Sequence, residues 1–256
     1  MAKISACIIS FNEELKIAEC LHSLSRVADE IIVLDSNSTD RTREIASRYT
    51  DHLYTHDFLG HVEQKNLAVS KASHGWILAL DCDERLSPEL QQAILHVKDH
   101  LDDFDAYRLS RRTFYVYRWL NHVWYPDKKI RLFKKTQARW GGVNPHDKVI
   151  VDSERVHDLR GDLLHFSFDT ISDHLQTVDR FTEIGAQEMI KKGKKVGLLT
   201  PFLHANWAFL RLYVIKLGFL DGFAGFVASL ISCLHVFVKY SKVIAYYKQK
   251  AGDPTG

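Results

Sequence analysis

Gly75-Trp76-Ile77-Leu78-Ala79-Leu80-Asp81-Cys82-Asp83-Glu84 is the stretch on which the reading of this chain turns. A continuous apolar run bounded by polar residues is the mark of a strand buried on both faces, as in a parallel sheet. Two carboxylates flanking one residue at its end can face the same small volume if the chain bends there. Hard divalent cations take oxygen ligands, and magnesium combines one or two carboxylates with substrate phosphate oxygens. The same tripeptide is also a plain polar turn before a capped helix. Ser87-Pro88-Glu89 supplies that cap, with a serine, a proline at the first helical position and an early acid. The helix it opens carries Leu90, Ile94, Val97 and Leu101 on one face.

Upstream, the same alternation repeats. Ile4 to Ser10 is β-rich, and Asn12 either caps a helix bearing Leu15, Ala18, Leu21 and Leu24 or offers polar contacts to a ligand. Glu30 to Leu34 reads as a second buried strand, ending in the turn-rich Asp35-Ser36-Asn37-Ser38-Thr39-Asp40 and a helix over 41–49. A strand near 52–55 and a helix near 62–73 lead back to Gly75. Strand–helix alternation predicts a parallel sheet covered by helices, with ligands beyond the carboxyl ends of its strands. The polar clusters at 10–14, 35–40 and 81–84 should therefore gather at one edge.

Those clusters hold the candidate donor-site residues. Phe11, Asn12 and Glu13 offer an aromatic wall and polar contacts to a nucleotide base. Asp35 accepts from a base N–H or a ribose hydroxyl, or caps the helix at Arg41, a task for which Asp40 is better placed. Lys65 meets a phosphate as a point charge or stays solvated. Asp81 and Asp83 hold a cation that neutralises charge growing on a departing diphosphate. If an acceptor hydroxyl attacks, it must lose its proton, and Asp147 in Trp140-Gly-Gly-Val-Asn-Pro-His146-Asp147 is the candidate base. Trp140, His146 and Arg131 are candidate acceptor contacts; an exposed loop acid is the other reading of Asp147. Neither a G-x-x-x-x-G-K-[ST] nor a G-x-G-x-x-G motif occurs.

Downstream of Asp105 the pattern turns β-rich, over 107–111, 114–119 and 130–134, with Gly141 to Pro145 as a loop signal. Beyond Asp169 the chain reads as helical. Three parts follow: an alternating strand–helix half over 1–104, a β-rich half over 105–167 and a helical region over 168–256, the first two the halves of one domain. In the last, Lys191, Lys192, Lys194 and Lys195 precede an aromatic-rich stretch over 202–247, whose longest uncharged run is the 17 residues from Gly222 to Val238. That is short of the ~20 residues that span a bilayer. An in-plane anchor on anionic lipid fits better; a span, or an appendage packing on the domain or on a second copy of the chain, are the other readings.

The 256 residues carry a formal charge of +2, too near neutral to argue for nucleic acid. The N-terminus shows no signal-peptide pattern, and the four cysteines form no C-x-x-C pair, which fits a reducing cytoplasm.

Ile8-Ile9-Ser10-Phe11-Asn12-Glu13, Ile32 through Asp40, Gln64-Lys65-Asn66 and Trp76 through Arg85 together resemble glycosyltransferase family 2 over roughly residues 4–150. The resemblance implies the GT-A fold: a Rossmann-like, mostly parallel sheet with helices on both faces, an acceptor-binding β region, and here a helical C-terminal appendage. It implies that Asp35 binds uracil, Asp83 the metal, and Asp81 the ribose or the metal's shell, with magnesium or manganese as cofactor. Arg131-Leu132-Phe133, the segment through His146-Asp147, and Gly218-Phe-Leu-Asp221-Gly222 with Gly225-Phe226 look like the lipopolysaccharide core β-1,4-glucosyltransferases. Many of these carry Glu where this chain has Asp147. The expectation is an inverting transfer of glucose from UDP-glucose to an inner-core heptose on a lipid-linked saccharide, by a peripheral protein on the cytoplasmic face of the inner membrane. A polyprenyl-phosphate sugar synthase and a non-catalytic nucleotide-sugar-binding scaffold are the alternatives.

Overall fold

The structure, a computed structural model, describes residues 2–143 and 146–252, with backbone only for Val143 and His146. It resolves into two compact units. The first comprises residues 1–112 and 126–166; the second comprises 113–125 and 167–256.

In the first unit the expected alternation is present: β1 (Ile4–Ser10), α1 (Ile17–Leu24), β2 (Glu30–Asp35), α2 (Thr42–Ala46), β3 (Leu53–Thr55), α3 (His61–Ser70), β4 (Trp76–Asp81), β5 (Glu84–Leu86) and α4 (Pro88–Val97). Along the chain there follow β6 (Ala106–Tyr115), β7 (Arg118–Trp119), β8 (Asp127–Lys134), β9 (Ala138–Val143), β10 (His146–Val151) and β11 (Val156–Phe168), of which β7 and the last residues of β6 and β11 belong to the second unit. The main sheet runs β3-β2-β1-β4-β8-β6-β11-β5. Its first four strands pair in parallel, whereas β8 pairs antiparallel with both β4 and β6. The α/β class holds, with a parallel half continued by antiparallel strands.

Strand periodicity divides the core into two layers, because successive side chains on a strand point to opposite faces. Ala6 and Ile8 of β1 and Leu78 and Leu80 of β4 pack with Ile17, Cys20, Leu21 and Leu24 of α1 and Leu90 and Ile94 of α4. Cys7, Ile32, Leu34, Ile77 and Ala79 face the other way, onto Ala68 and Val69 of α3 and onto Trp140 and Val149 of β9 and β10. Each fully buried Leu or Ile stabilises by roughly 1.5–3 kcal/mol relative to exposure. α4 begins where the sequence predicts: the Ser87 hydroxyl accepts from the Leu90 N–H at 3.2 Å. Gly161, at φ +91°, lies where a Cβ would stand 2.4 Å from the Leu90 nitrogen, so β11 can pass α4 only as glycine.

Three local expectations are corrected. Asn12 caps no helix, since α1 starts at Ile17 and the buried stripe excludes Leu15, which is 86% exposed. Gly141 and Gly142 form no loop; they lie inside β9, opposite Lys148 and Asp147 of the β9–β10 hairpin. Residues 114–119 are not one strand, because Val116 takes φ +58° and turns the chain between β6 and β7.

The second unit holds residues 113–125 with α5 (Ile171–Lys191), α6 (Thr200–Phe209), a π-helical turn (Leu210–Ile215), a 3-10 turn (Gly218–Asp221) and α7 (Gly222–Gly252). α5 opens on a capping box between Thr170 and Asp173. α7 packs on both α5 and α6. Asp221, wholly buried, accepts backbone N–H bonds from Asn121, His122 and Val123 at 2.9–3.0 Å. The turn is close-packed: a Cβ on Gly225 would meet the Gly218 carbonyl oxygen at 2.0 Å. The segment from Gly218 to Gly252 has a mean hydropathy of 1.7 in its most apolar window, long and apolar enough by length and composition to cross a membrane.

Candidate functional site

Parallel pairing puts the polar strand ends side by side. Ser10 lies beside Asp35 and Ile9 beside Asp81 in the register of β1 with β2 and β4, at neighbouring-strand spacings of about 4.8 Å.

At the first of these ends Asp35 is fully buried. Its carboxylate accepts from the Ser10 hydroxyl at 2.9 Å and from the Ser38 N–H at 2.8 Å, so it holds its own turn in shape. Asn12, at φ +53°, accepts from the Thr39 N–H at 2.9 Å and donates its own N–H to the Ser38 hydroxyl. The Glu13 N–H donates to the Thr42 hydroxyl at 2.7 Å. These contacts pin the 35–40 turn to the end of β1. Phe11 stands beside them with 58% of its surface exposed, an open aromatic face.

At the β4 end a buried network of charge is assembled. The Lys65 ammonium, from α3, lies 2.8 Å from Asp81 Oδ1 and 2.8 Å from Asp147 Oδ2. Arg131 of β8 donates to Asp81 Oδ2 at 2.9 Å and to Glu84 Oε1 at 2.7 Å. Glu84 is fully buried, also accepts from the Asp81 N–H at 3.1 Å, and lies 3.4 Å from Arg111. Burial alone would raise the Asp81 carboxyl, but Lys65 and Arg131 outweigh it and hold the group well below the usual carboxylate range. Both oxygens of Asp81 are thus engaged by cations. Cys82 points away, its thiol 3.2 Å from the Ile9 carbonyl and pushed up by burial, which removes it as a nucleophile.

Asp83 takes a different partner. Its Oδ2 lies 3.1 Å from Nε2 of His165 on β11, and its carbonyl accepts from the Phe166 N–H. Among the described residues no group of three or more His, Cys, Asp and Glu side chains is arranged to hold a metal. Asp83 and His165 nevertheless fit a divalent cation as a pair. Two neighbouring ligands on an octahedral ion at ~2.1 Å stand about 3 Å apart, and diphosphate oxygens would complete the set.

The structure therefore brings Lys65, Asp81 and Asp147 together, with Asp83 at the adjacent turn and Phe11, Asn12, Glu13 and Asp35 at the neighbouring strand ends. It moves two other residues off the positions expected for them. Arg131 and Trp140, read as acceptor contacts, are each only 4% exposed. The Trp140 ring lies under Lys65 at 4.3 Å and Arg131 at 5.4 Å, and its backbone is clamped to Asn66 by two bonds. They set the charge network from beneath, because β9 folds back over α3. His146 falls outside the residues whose side chains are described. Sequence reasoning missed Glu84, Arg111 and His165. Glu84 carried a signal in its adjacency to Asp83; Arg111 and His165 meet it only through strand pairing.

An uncharacterized glycosyltransferase of Rickettsia typhi is 31% identical over 95% of this chain and 87% of its own length. The lipopolysaccharide core biosynthesis glycosyltransferase LpsC of Rhizobium meliloti is 25% identical, over 97% and 94% respectively. Among solved structures, residues 1–349 of Staphylococcus aureus TarS bound to UDP superpose with a TM-score of 0.48 at 16% identity, covering 97% of this chain and 92% of that one. The sequence profile described as glycosyl transferase family 2 matches residues 5–150, which span both polar strand ends, Lys65 and Asp147. This chain belongs to glycosyl transferase family 2.

Proposed function

We propose that the protein transfers a hexose, glucose from UDP-glucose, onto a hydroxyl of a lipid-linked saccharide, the inner-core heptose of lipopolysaccharide, with inversion at the anomeric carbon. The observation that carries this reading is Lys65, which bridges Asp81 and Asp147 at 2.8 Å each. One buried ammonium thereby joins the acidic strand end, where a diphosphate is to be held, to the carboxylate that is to take a proton. An arriving diphosphate competes for Lys65 and loosens its hold on Asp147. That carboxylate then accepts the proton of the acceptor hydroxyl as its oxygen attacks opposite the leaving group. Phe11 supplies an open face for the base, and Asn12, Glu13 and Asp35 shape the turn on which base and ribose would rest. Asp83 and His165 would hold the metal, magnesium or manganese, which when bound neutralises charge on the departing diphosphate. The saccharide assignment is supported by LpsC, similar along nearly its full length.

The helical unit is proposed to rest on the cytoplasmic face of the inner membrane. Leu199, Phe202, Leu203, Trp207, Ile215 and Phe223 are each more than half exposed, a density uncommon on soluble monomers. A span by α7 is disfavoured because α5 packs on it, with Lys242 paired to Asp179 and Glu183 at 3.0 and 3.2 Å. Insertion would carry these charges into hydrocarbon.

The test is product analysis: full-length protein, UDP-glucose, manganese and truncated lipopolysaccharide ending at inner-core heptose. A β-linked glucosyl product by NMR is expected. Transfer to polyprenyl phosphate in place of saccharide overturns the acceptor assignment, and transfer to neither overturns the reading.

A further inference from the structure

A cavity of about 260 Å³ is lined by residues of the helical unit, none of them assigned to the candidate site above. His174 of α5, Arg211 of the π-helical turn, Ser232 and His235 of α7, and Trp124 are among its walls. No carboxylate lines it. Arg211 is exposed, and among the described residues it has no ion-pair partner. The Tyr115 hydroxyl lies 3.0 Å from His174 Nδ1, which leaves Nε2 as the ring nitrogen for a guest. Ala208, Leu212 and Val236 make the rest of the lining apolar, and the Arg211 guanidinium, with no carboxylate among the described lining residues, is matched to an anion.

The surroundings say what carries that anion. Along the chain Arg211 is flanked by Trp207, Leu210, Val214 and Ile215, exposed by 55%, 45%, 47% and 58%. A cation set among exposed apolar side chains belongs neither to a core nor to a solvated face; it suits the boundary between lipid headgroups and acyl chains. The π-helical turn that presents it is a rare geometry, found mostly at functional sites. The volume lies below the ~300–1,000 Å³ of sites that enclose a drug-sized ligand. A volume of that size suits a small headgroup.

We propose that Arg211, with His235 and Trp124, binds the phosphate headgroup of an acidic lipid while the flanking apolar side chains enter the acyl boundary. Arginine's planar fork matches a phosphate with two parallel charge-assisted bonds. This inference rests on the surface-association reading and gives it a specific site.

The experiment is flotation of the full-length protein with vesicles of phosphatidylcholine alone or with added phosphatidic acid. Wild type is expected to bind the acidic vesicles about tenfold more tightly, the order of one charge-assisted contact. Arg211→Gln, at an exposed position, should bring acidic vesicles down to the phosphatidylcholine level with an unchanged melting temperature. A variant with Lys191, Lys192, Lys194 and Lys195 all changed to Gln should keep the preference. If Arg211→Gln retains it, or the lysine variant loses it, the cavity is not the headgroup site. Equal binding of both vesicles by wild type overturns the site and leaves surface association standing; binding of neither overturns both. Monomeric short-chain phosphatidic acid should shift an emission signal lost in Trp124→Phe, and inorganic phosphate at the same concentration should not. An equal shift by both overturns the lipid assignment.

Discussion

The two units break opposite rules. The first hides charge: Lys65, Glu84 and Arg131 are 7%, 0% and 4% exposed. The second displays grease: Leu199, Leu203 and Phe223 are 72%, 68% and 68% exposed. Buried ions cost several kcal/mol each unless well paired, and contiguous apolar surface invites association. Neither departure helps a chain to fold, and departures from local rules concentrate where function is. On the proposed reading the first unit turns its charge inward to hold a charged donor, and the second turns its apolar side chains outward to meet a lipid surface. That contrast can be broken by experiment.

The largest effect should come from Asp83→Ala, which removes one of the two donors proposed to hold the metal. Transfer is expected to fall by about 10³-fold, the upper range for loss of one electrostatic contact to a developing charge, with weaker UDP binding by calorimetry. Full activity of this variant, or of wild type in excess chelator, would remove the metal role. Glu84→Ala should cost about 3–5 kcal/mol of stability, because it leaves Arg131 and Arg111 facing each other without their shared carboxylate. Urea melts check this, and a neutral outcome would show that the buried charge is dispensable. Asp147→Asn should lower turnover by roughly 10²-fold while donor affinity stays near wild type, as for loss of a general base. Equal losses in both would reassign Asp147 to the donor site.

The helical unit should answer to pH instead. Burial, with the nearby charge of His235, pushes His174 down to about 4 from its ordinary 6.5. The unfolded chain therefore takes up the proton first. Stability from the neutral ring is complete above pH 6.5 and is lost as pH falls from 6.5 toward 4. Hydrogen exchange of α5 and α7 should quicken across that window, and His174→Phe should flatten the response. The smallest effects sharpen the contrast most. Leu203→Ser and Phe223→Ser should change stability by no more than about 0.5 kcal/mol, whereas Leu21→Ala in the first unit should cost about 2–5 kcal/mol. Comparable losses at all three would mean that the exposed side chains are structural.

Much of the first unit was legible in the sequence because its signals are local. Buried strands read as unbroken apolar runs, Ser87-Pro88-Glu89 marks a helix start, and three polar strand ends gather by the geometry of parallel pairing. What could not be read depends on partners far along the chain. Lys65 meets Asp147 across 82 positions and Arg131 meets Asp81 across 50, so their shared network has no signature in spacing. The Gly141-Gly142 pair misled because glycine marks turns, yet here Asn66 draws β9 against α3 and a strand results. In the helical unit, composition announced exposed apolar surface but not the cavity, which needs three helices and Trp124 at once.

The Asp221 anchor bears on how this protein is made. Its carboxylate gathers the amides of residues 121–123, about a hundred positions earlier in the chain. During synthesis the segment 113–125 leaves the ribosome long before the residues that complete it. Tyr115, Leu120 and Val123 must wait for Leu212, Ala224 and Ala228 to close their core. A gene cut at Lys195 would therefore yield an orphaned loop rather than a trimmed enzyme, prone to aggregation and proteolysis. The helical region is not a tag fused behind a catalyst but the later part of a unit whose first segment, residues 113–125, is made before it.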